Sequence, residues 1–171
     1  MTPDTKETTE AVMQQRTGSE DLYYENVEIG RAVSFGRTVV TAEEIVEFAR
    51  AFDPQPFHLS EEGAKDSMVG RLCASGFHTC VLLMRMLAVE LNSKGKPLGS
   101  PGLDEVRWLK PVFPGDVLAG RYTCKEKRVM RSRPGVGICR ILFELVNQDG
   151  QVVMSWEGHQ FLSLRPPEGA S

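Results

Sequence analysis

Asp53 and His58 close the two ends of the segment Asp53-Pro54-Gln55-Pro56-Phe57-His58. A carboxylate and an imidazole are the side chains best suited to passing protons near neutral pH. Pro54 and Pro56 push the residues before them toward extended geometry, so the segment reads as an irregular loop. Were that loop straight, its two ends would stand about 15 Å apart, too far to share one water molecule. The pair can act together only if the loop bends. A second element lies downstream, where Ser75-Gly76 opens a long apolar stretch. The first backbone N–H groups of a helix lack partners within it, and the dipole there favours negative charge. Ser75 suits the capping position, and a glycine at 76 allows either a ligand or a neighbouring side chain to approach the backbone closely.

The elements that must position these residues can be read on either side of them. Val33 to Val40 has strand character, and Thr41 with Glu44 forms a capping box that starts a helix through Ile45, Phe48 and Ala49. That helix cannot pass Asp53. A short helix is expected from Ser60, with Glu61 and Glu62 in its first turn. From Ser75 to about Asn92 the chain is apolar almost all round, the pattern of a buried helix in which Arg85 would need a partner and His78 would be structural. Strand character returns at about Leu103 to Leu109, Val117 to Val129, Val136 to Asn147 and Gln151 to Leu164, with a turn at Asn147-Gln148-Asp149-Gly150. One apolar helix followed by antiparallel strands suggests an α+β domain with a curved sheet wrapped around a long central helix.

A chain of 171 residues with a formal net charge of −3 has room for one domain with a real core. Residues 1–20 are polar and lack apolar periodicity, and are expected to be a flexible tail; the domain spans 21–164, and 165–171 is a second flexible end. Asp4, Glu7, Glu10 and Glu20 against Lys6 and Arg16 put most of the negative charge in that tail. The near-neutral body offers no broad footprint for nucleic acid or an anionic membrane, so the expected partner is a small molecule. Cys73, Cys80, Cys124 and Cys139 have neither metal-site spacing nor disulfide density, and read as reduced packing residues in a cytoplasmic protein that binds no metal. The longest apolar stretch, Cys80 to Leu91, is interrupted by Arg85 and is too short to span a bilayer.

The order and spacing of these motifs resemble the MaoC-like (R)-specific enoyl-CoA hydratases. That family's pattern Asp-x-Asn-Pro-x-His, followed eighteen residues later by a glycine opening the central helix, appears here as Asp53-Pro54-Gln55-Pro56-Phe57-His58 and then Gly76. Arg107-Trp108-Leu109-Lys110-Pro111-Val112-Phe113-Pro114-Gly115-Asp116 is similar to its strand-turn-strand element. The similarity runs from about Tyr23 to Leu164. Gln55 stands where the family has Asn, Ser75 where many members have His, and Met84 where some carry Ser.

The resemblance implies a hotdog fold and reversible addition of water to a 2-enoyl-CoA, giving a 3-hydroxyacyl-CoA. Asp53 and His58 would hold the water and move its protons, and the Gly76 N–H would receive the thioester oxygen. Gln55, Phe57 and Ser75 would border the substrate, and Arg128, Arg131 and Arg133, in a basic run with Lys125 and Lys127, would meet the phosphates of CoA. No cofactor is expected beyond CoA or an acyl carrier as the substrate's handle. A homodimer is expected, because one such sheet leaves edges exposed. The rival activities are a hotdog thioesterase, disfavoured because Glu90 is the only acid between Gly76 and Leu91, and a non-catalytic acyl-CoA-binding subunit.

Overall fold

Thr41 starts the first helix as its chemistry suggests. Its hydroxyl accepts the Glu44 N–H at 3.2 Å and the Glu44 carboxylate accepts the Thr41 N–H at 3.3 Å, so two orphan donors are satisfied reciprocally. The helix that follows, α1 (Ala42–Phe52), buries Ile45 and Ala49 and stops at Asp53, with Pro54 beyond it. The computed structural model describes residues 22–92 and 97–167. The expected tail at 1–20 and the residues 168–171 lie outside it. Within the expected C-terminal end, Arg165 is held: its N–H donates to Glu25 at 3.0 Å and its guanidinium to Asn26 at 3.1 Å.

The segment after Asp53 differs from the irregular loop expected of it. Pro56 occupies the first position of a single helical turn, α2 (Pro56–Leu59), where its missing N–H would have had no helical partner anyway and its fixed φ suits the turn. That turn supplies the bend between Asp53 and His58. A second turn, α3 (Glu61–Ala64), is capped by the Ser60 hydroxyl, which accepts the Gly63 N–H at 2.9 Å. Glu61 then reaches forward to accept the Leu72 N–H at 2.9 Å, fixing the approach to the central helix.

The central helix, α4 (Gly76–Met86), lays Leu82, Leu83 and Met86 into the core and continues to Asn92 as a wider π turn. The expectation that it is buried all round is corrected. Phe77, Val81 and Met84 are more than half exposed, and Arg85 also lies at the surface, where its charge is solvated. Residues four and three apart share one side of a helix, so these three make one outward apolar stripe.

Six antiparallel strands wrap the opposite side of α4: β1 (Ala32–Val39), β2 (Pro97–Gly99), β3 (Leu103–Trp108), β4 (Val117–Val129), β5 (Val136–Val146) and β6 (Val152–Ser163). The order is β1-β4-β5-β6, and the outer edge of β6 is shared by β2 and β3. The short β2 was not legible in the sequence. Alternation follows the period-two rule on β5, where Cys139, Ile141, Phe143 and Leu145 are buried and Arg140 and Glu144 form ion pairs on the other face. β1 is bent by a register shift between Phe35 and Thr38, where Gly36 takes φ +58° and a Cβ would come within 2.9 Å of Met86. The bend lets the sheet close on the last turn of α4. Asn147 closes the β5–β6 hairpin by accepting the Asp149 and Gln151 N–H groups through its side chain. Among the described residues no helix is long and apolar enough to cross a membrane.

Candidate active site

Asp53 is the residue at which α1 ends, its N–H still bound to the Ala49 carbonyl at 2.9 Å. Its carboxylate is gripped on both oxygens. Ser75 Oγ donates to Oδ2 at 2.6 Å, and Gln55 Nε2 donates to Oδ1 at 2.8 Å. These two donors, Ser75 first, hold the Asp53 carboxyl below its ordinary range. The side chain keeps 22% of its surface exposed, so it remains reachable from solvent.

His58 is buried, and its ring is oriented from behind. Nδ1 lies 2.7 Å from the Cys73 carbonyl oxygen. A carbonyl can only accept, so Nδ1 carries a proton, and with Nε2 unprotonated the ring presents a lone pair on the opposite side. That lone pair faces Asp53 Oδ2 at 3.6 Å, beyond a direct hydrogen bond and suited to a water held between the two acceptors. The Cys73–Ser75 segment is itself anchored, through Cys73 N–H to the Phe57 carbonyl at 3.4 Å and Ala74 N–H to the Val112 carbonyl at 2.8 Å. His78, one turn into α4, stacks face to face on Phe48 of α1 with centroids 4.7 Å apart. This contact ties the helix that ends in Asp53 to the helix that begins beside Ser75.

Gly76 is the first residue of α4, and among the described residues its N–H has no recorded acceptor. It lies next to Ser75, hence beside the Asp53–His58 pair. Its lack of a side chain has a definite cause. A Cβ at this position would lie 2.5 Å from the Trp108 indole, which comes in from the end of β3. The glycine makes room for that ring, the close approach of a neighbouring side chain that the sequence offered beside access for a ligand.

Other expected site residues fall differently. Ser75 is 1% exposed and its hydroxyl is engaged by Asp53 and by the Phe77 N–H at 3.3 Å, so it positions the carboxylate and is not open to a substrate. Gln55 is exposed but its amide is turned back onto Asp53. Phe57 is half-buried and packs edge-on against the His58 ring at 4.4 Å. Arg128, Arg131 and Arg133 are exposed on the β4–β5 hairpin, and within one chain they do not join the site. Trp108 pairs with Met154 at one end of β6, whereas that hairpin pairs with Ser163 at the other end. The strand rise sets them about 30 Å apart. The contributions of the Cys73 carbonyl and Trp108 were not visible in sequence. The first is a backbone group that any residue could supply, and the second depends on which strand faces the start of α4.

A family model described as the MaoC like domain matches residues 25–140 of this chain. The crystal structure of the MaoC-like dehydratase from Rhodospirillum rubrum superposes with a TM-score of 0.78 at 35% identity, covering 85% of this chain and 99% of that one. The R-hydratase PhaJ1 from Pseudomonas aeruginosa matches at 0.67 and 20% identity, over 88% of this chain and 97% of that one. A Mycobacterium tuberculosis protein with a double hotdog fold matches at 0.70 and 13% identity, over 88% of this chain but 47% of that one. The last two share the fold, and the sheet wrapped around α4 is a hotdog.

Proposed function

This chain belongs to the MaoC-like domain family, and from that premise we propose that it reversibly adds water to a 2-enoyl-CoA, giving a 3-hydroxyacyl-CoA. The observation that carries the reading is the placement of His58 Nε2 opposite an Asp53 carboxylate held ionised by Ser75 and Gln55. Two acceptors converge on one point with no hydrogen bond between them, the arrangement a bound water would use with both of its protons.

In the forward direction the water oxygen attacks Cβ while Asp53, aided by His58, takes a proton from it. Charge moves to the thioester oxygen, where the free Gly76 N–H at the start of α4 offers a donor reinforced by the helix dipole. The proton then returns to Cα. One water therefore supplies both the hydroxyl and the hydrogen, and the enzyme ends as it began. Each positioned proton-transfer group contributes about 10²- to 10⁴-fold.

A thioesterase is disfavoured by the placement of Glu90, the acid such a reaction would call on. It is exposed in the π turn, about 21 Å along the helix from Gly76. Assaying 2-enoyl-CoA substrates both for loss of the conjugated enoyl absorbance and for release of free thiol separates the readings. Hydration without thiol release is expected. Thiol release would favour the thioesterase, and neither signal would favour a binding subunit.

A further inference from the structure

α4 carries the candidate active site at its first turn and a cavity beyond its last. Where the helix widens into the π turn Leu87–Asn92, the described residues leave a space between it and the concave face of the sheet. A cavity of about 260 Å³, partly open to the outside, is bounded by Met84, Leu87 and Leu91 on the helix side and by Ile141, Phe143 and Leu162 on the sheet side. Protein interiors normally close such space by packing, and a void lined this way holds hydrocarbon in preference to water.

A seam on α4 joins this cavity to the site. Phe77, Cys80 and Met84 recur at spacings of three and four and share one side of the helix. Phe77 meets the Trp108 ring edge-on at 5.3 Å, Cys80 lies against the same indole, and Met84 borders the cavity. None of the three brings a charge to the seam. From Gly76 to Met84 the helix rises about 12 Å, the reach of a chain of roughly ten carbons.

We propose that the seam and the cavity receive the far end of a long acyl chain whose thioester lies at Gly76, so that the substrate class is a 2-enoyl thioester of roughly twelve carbons or more. This rests on the hydration reading above. A four-carbon acyl group would stop short of the cavity and gain nothing from it. Each methylene moved from water into an apolar pocket is worth about fourfold in binding, so a few buried methylenes produce a preference of at least about tenfold.

The test compares crotonyl-CoA with 2-tetradecenoyl-CoA in the full chain, in Met84→Trp and in Leu91→Trp. Both positions border the cavity without being fully buried, and Leu91 also packs partly against the core, so a larger ring at either fills cavity space, with Met84→Trp leaving the core contacts in place. The expected result is a kcat/KM at least ~10-fold higher for the long substrate, with that ratio falling by ~10-fold or more in each variant. A ratio near one, or one that neither variant moves, overturns the proposal even if both substrates are hydrated. Equilibrium binding of lauroyl-CoA is measured alongside. If no enoyl-CoA is hydrated, lauroyl-CoA binding weakened ~10-fold by the variants still supports the cavity assignment while the hydration reading falls. Binding that is absent, or indifferent to both substitutions, overturns the assignment as well.

Discussion

The Ser75 hydroxyl lies 2.6 Å from Asp53 Oδ2, although 22 residues separate the two in the chain. A buried donor aimed at a carboxylate stabilises its charged form, and a hydrogen bond to a charged group is worth about 1.5–3 kcal/mol. Asp53 therefore stays ionised to lower pH than an ordinary carboxylate. Ser75→Ala should raise the Asp53 pKa and move the acid limb of the kcat/KM profile to higher pH, with the alkaline side little changed. A pH–rate profile with an unshifted acid limb would show that Ser75 serves only as the helix cap.

Asp53→Asn and His58→Ala should each lower kcat for hydration by at least ~10²-fold, since each removes a proton-transfer group. Asp53→Asn takes no packing out of the core, whereas losing the buried His58 ring removes the face Phe57 packs on and frees the Cys73 carbonyl, which alone costs about 1–3 kcal/mol of stability. Steady-state kinetics together with thermal melts separates the two effects. A fully active variant of either kind would remove that residue from the mechanism.

At Gly76 a side chain and a missing N–H must be tested separately, because any Cβ meets the Trp108 ring. Gly76→Ala should destabilise the protein and perturb tryptophan fluorescence, and adding Trp108→Ala should restore much of the lost stability. Gly76→Pro made in the Trp108→Ala background then removes the N–H without the clash, at a position where proline suits the helix. Loss of ~10²-fold or more in kcat/KM relative to that background is expected, corresponding to about 2.7 kcal/mol. A folded double variant as active as its parent would place the oxyanion donor elsewhere.

His78 is held neutral by burial, its pKa lying below the ordinary histidine value of 6.5 despite an opposing pull from Glu44. The unfolded chain therefore binds a proton that the folded chain resists, and stability falls as pH drops below 6.5 toward the folded-state value. Replacing His78 with Phe keeps a ring to stack on Phe48 and removes this loss. The melting temperature of the variant should change less than that of the parent between pH 7 and pH 5. Equal slopes would exclude His78 as the source.

The β3 edge is unpaired on its outer side among the described residues, and Leu103, Trp108 and the Phe77–Val81–Met84 stripe are exposed close to it. A second copy covering that edge and stripe would account for both, and light scattering should give twice the chain mass. A stable, active monomer would count against this arrangement.

How much of this was legible in the sequence depended on whether the signal was local. The Thr41–Glu44 box, the stop at Asp53, the cap at Ser75 and the hairpin at Asn147 all act within a few residues, and each was readable. The α2 turn was missed because the proline that argued for an extended loop also suits the first position of a helix. The exposed side of α4 was missed because apolar residues facing solvent and apolar residues facing a core look alike in a sequence. Ser75 was placed at the substrate instead of at Asp53 because that contact is made in three dimensions. Arg128, Arg131 and Arg133 are assigned to the phosphates of CoA on their charge, and only the strand register shows that within one chain they lie at the other end of the sheet from Trp108.

Gly76 and Trp108 meet so closely that Gly76 cannot drift alone. A larger residue at 76 is harmful while the indole is present, yet it becomes tolerable once position 108 has shrunk. Shrinking position 108 first removes the ring that Phe77 leans on. Change at these two positions is therefore ordered, with 108 leading and 76 following. Among descendants of this chain the two should vary as a pair, and a residue with a Cβ at 76 should mark a lineage that has already lost the indole.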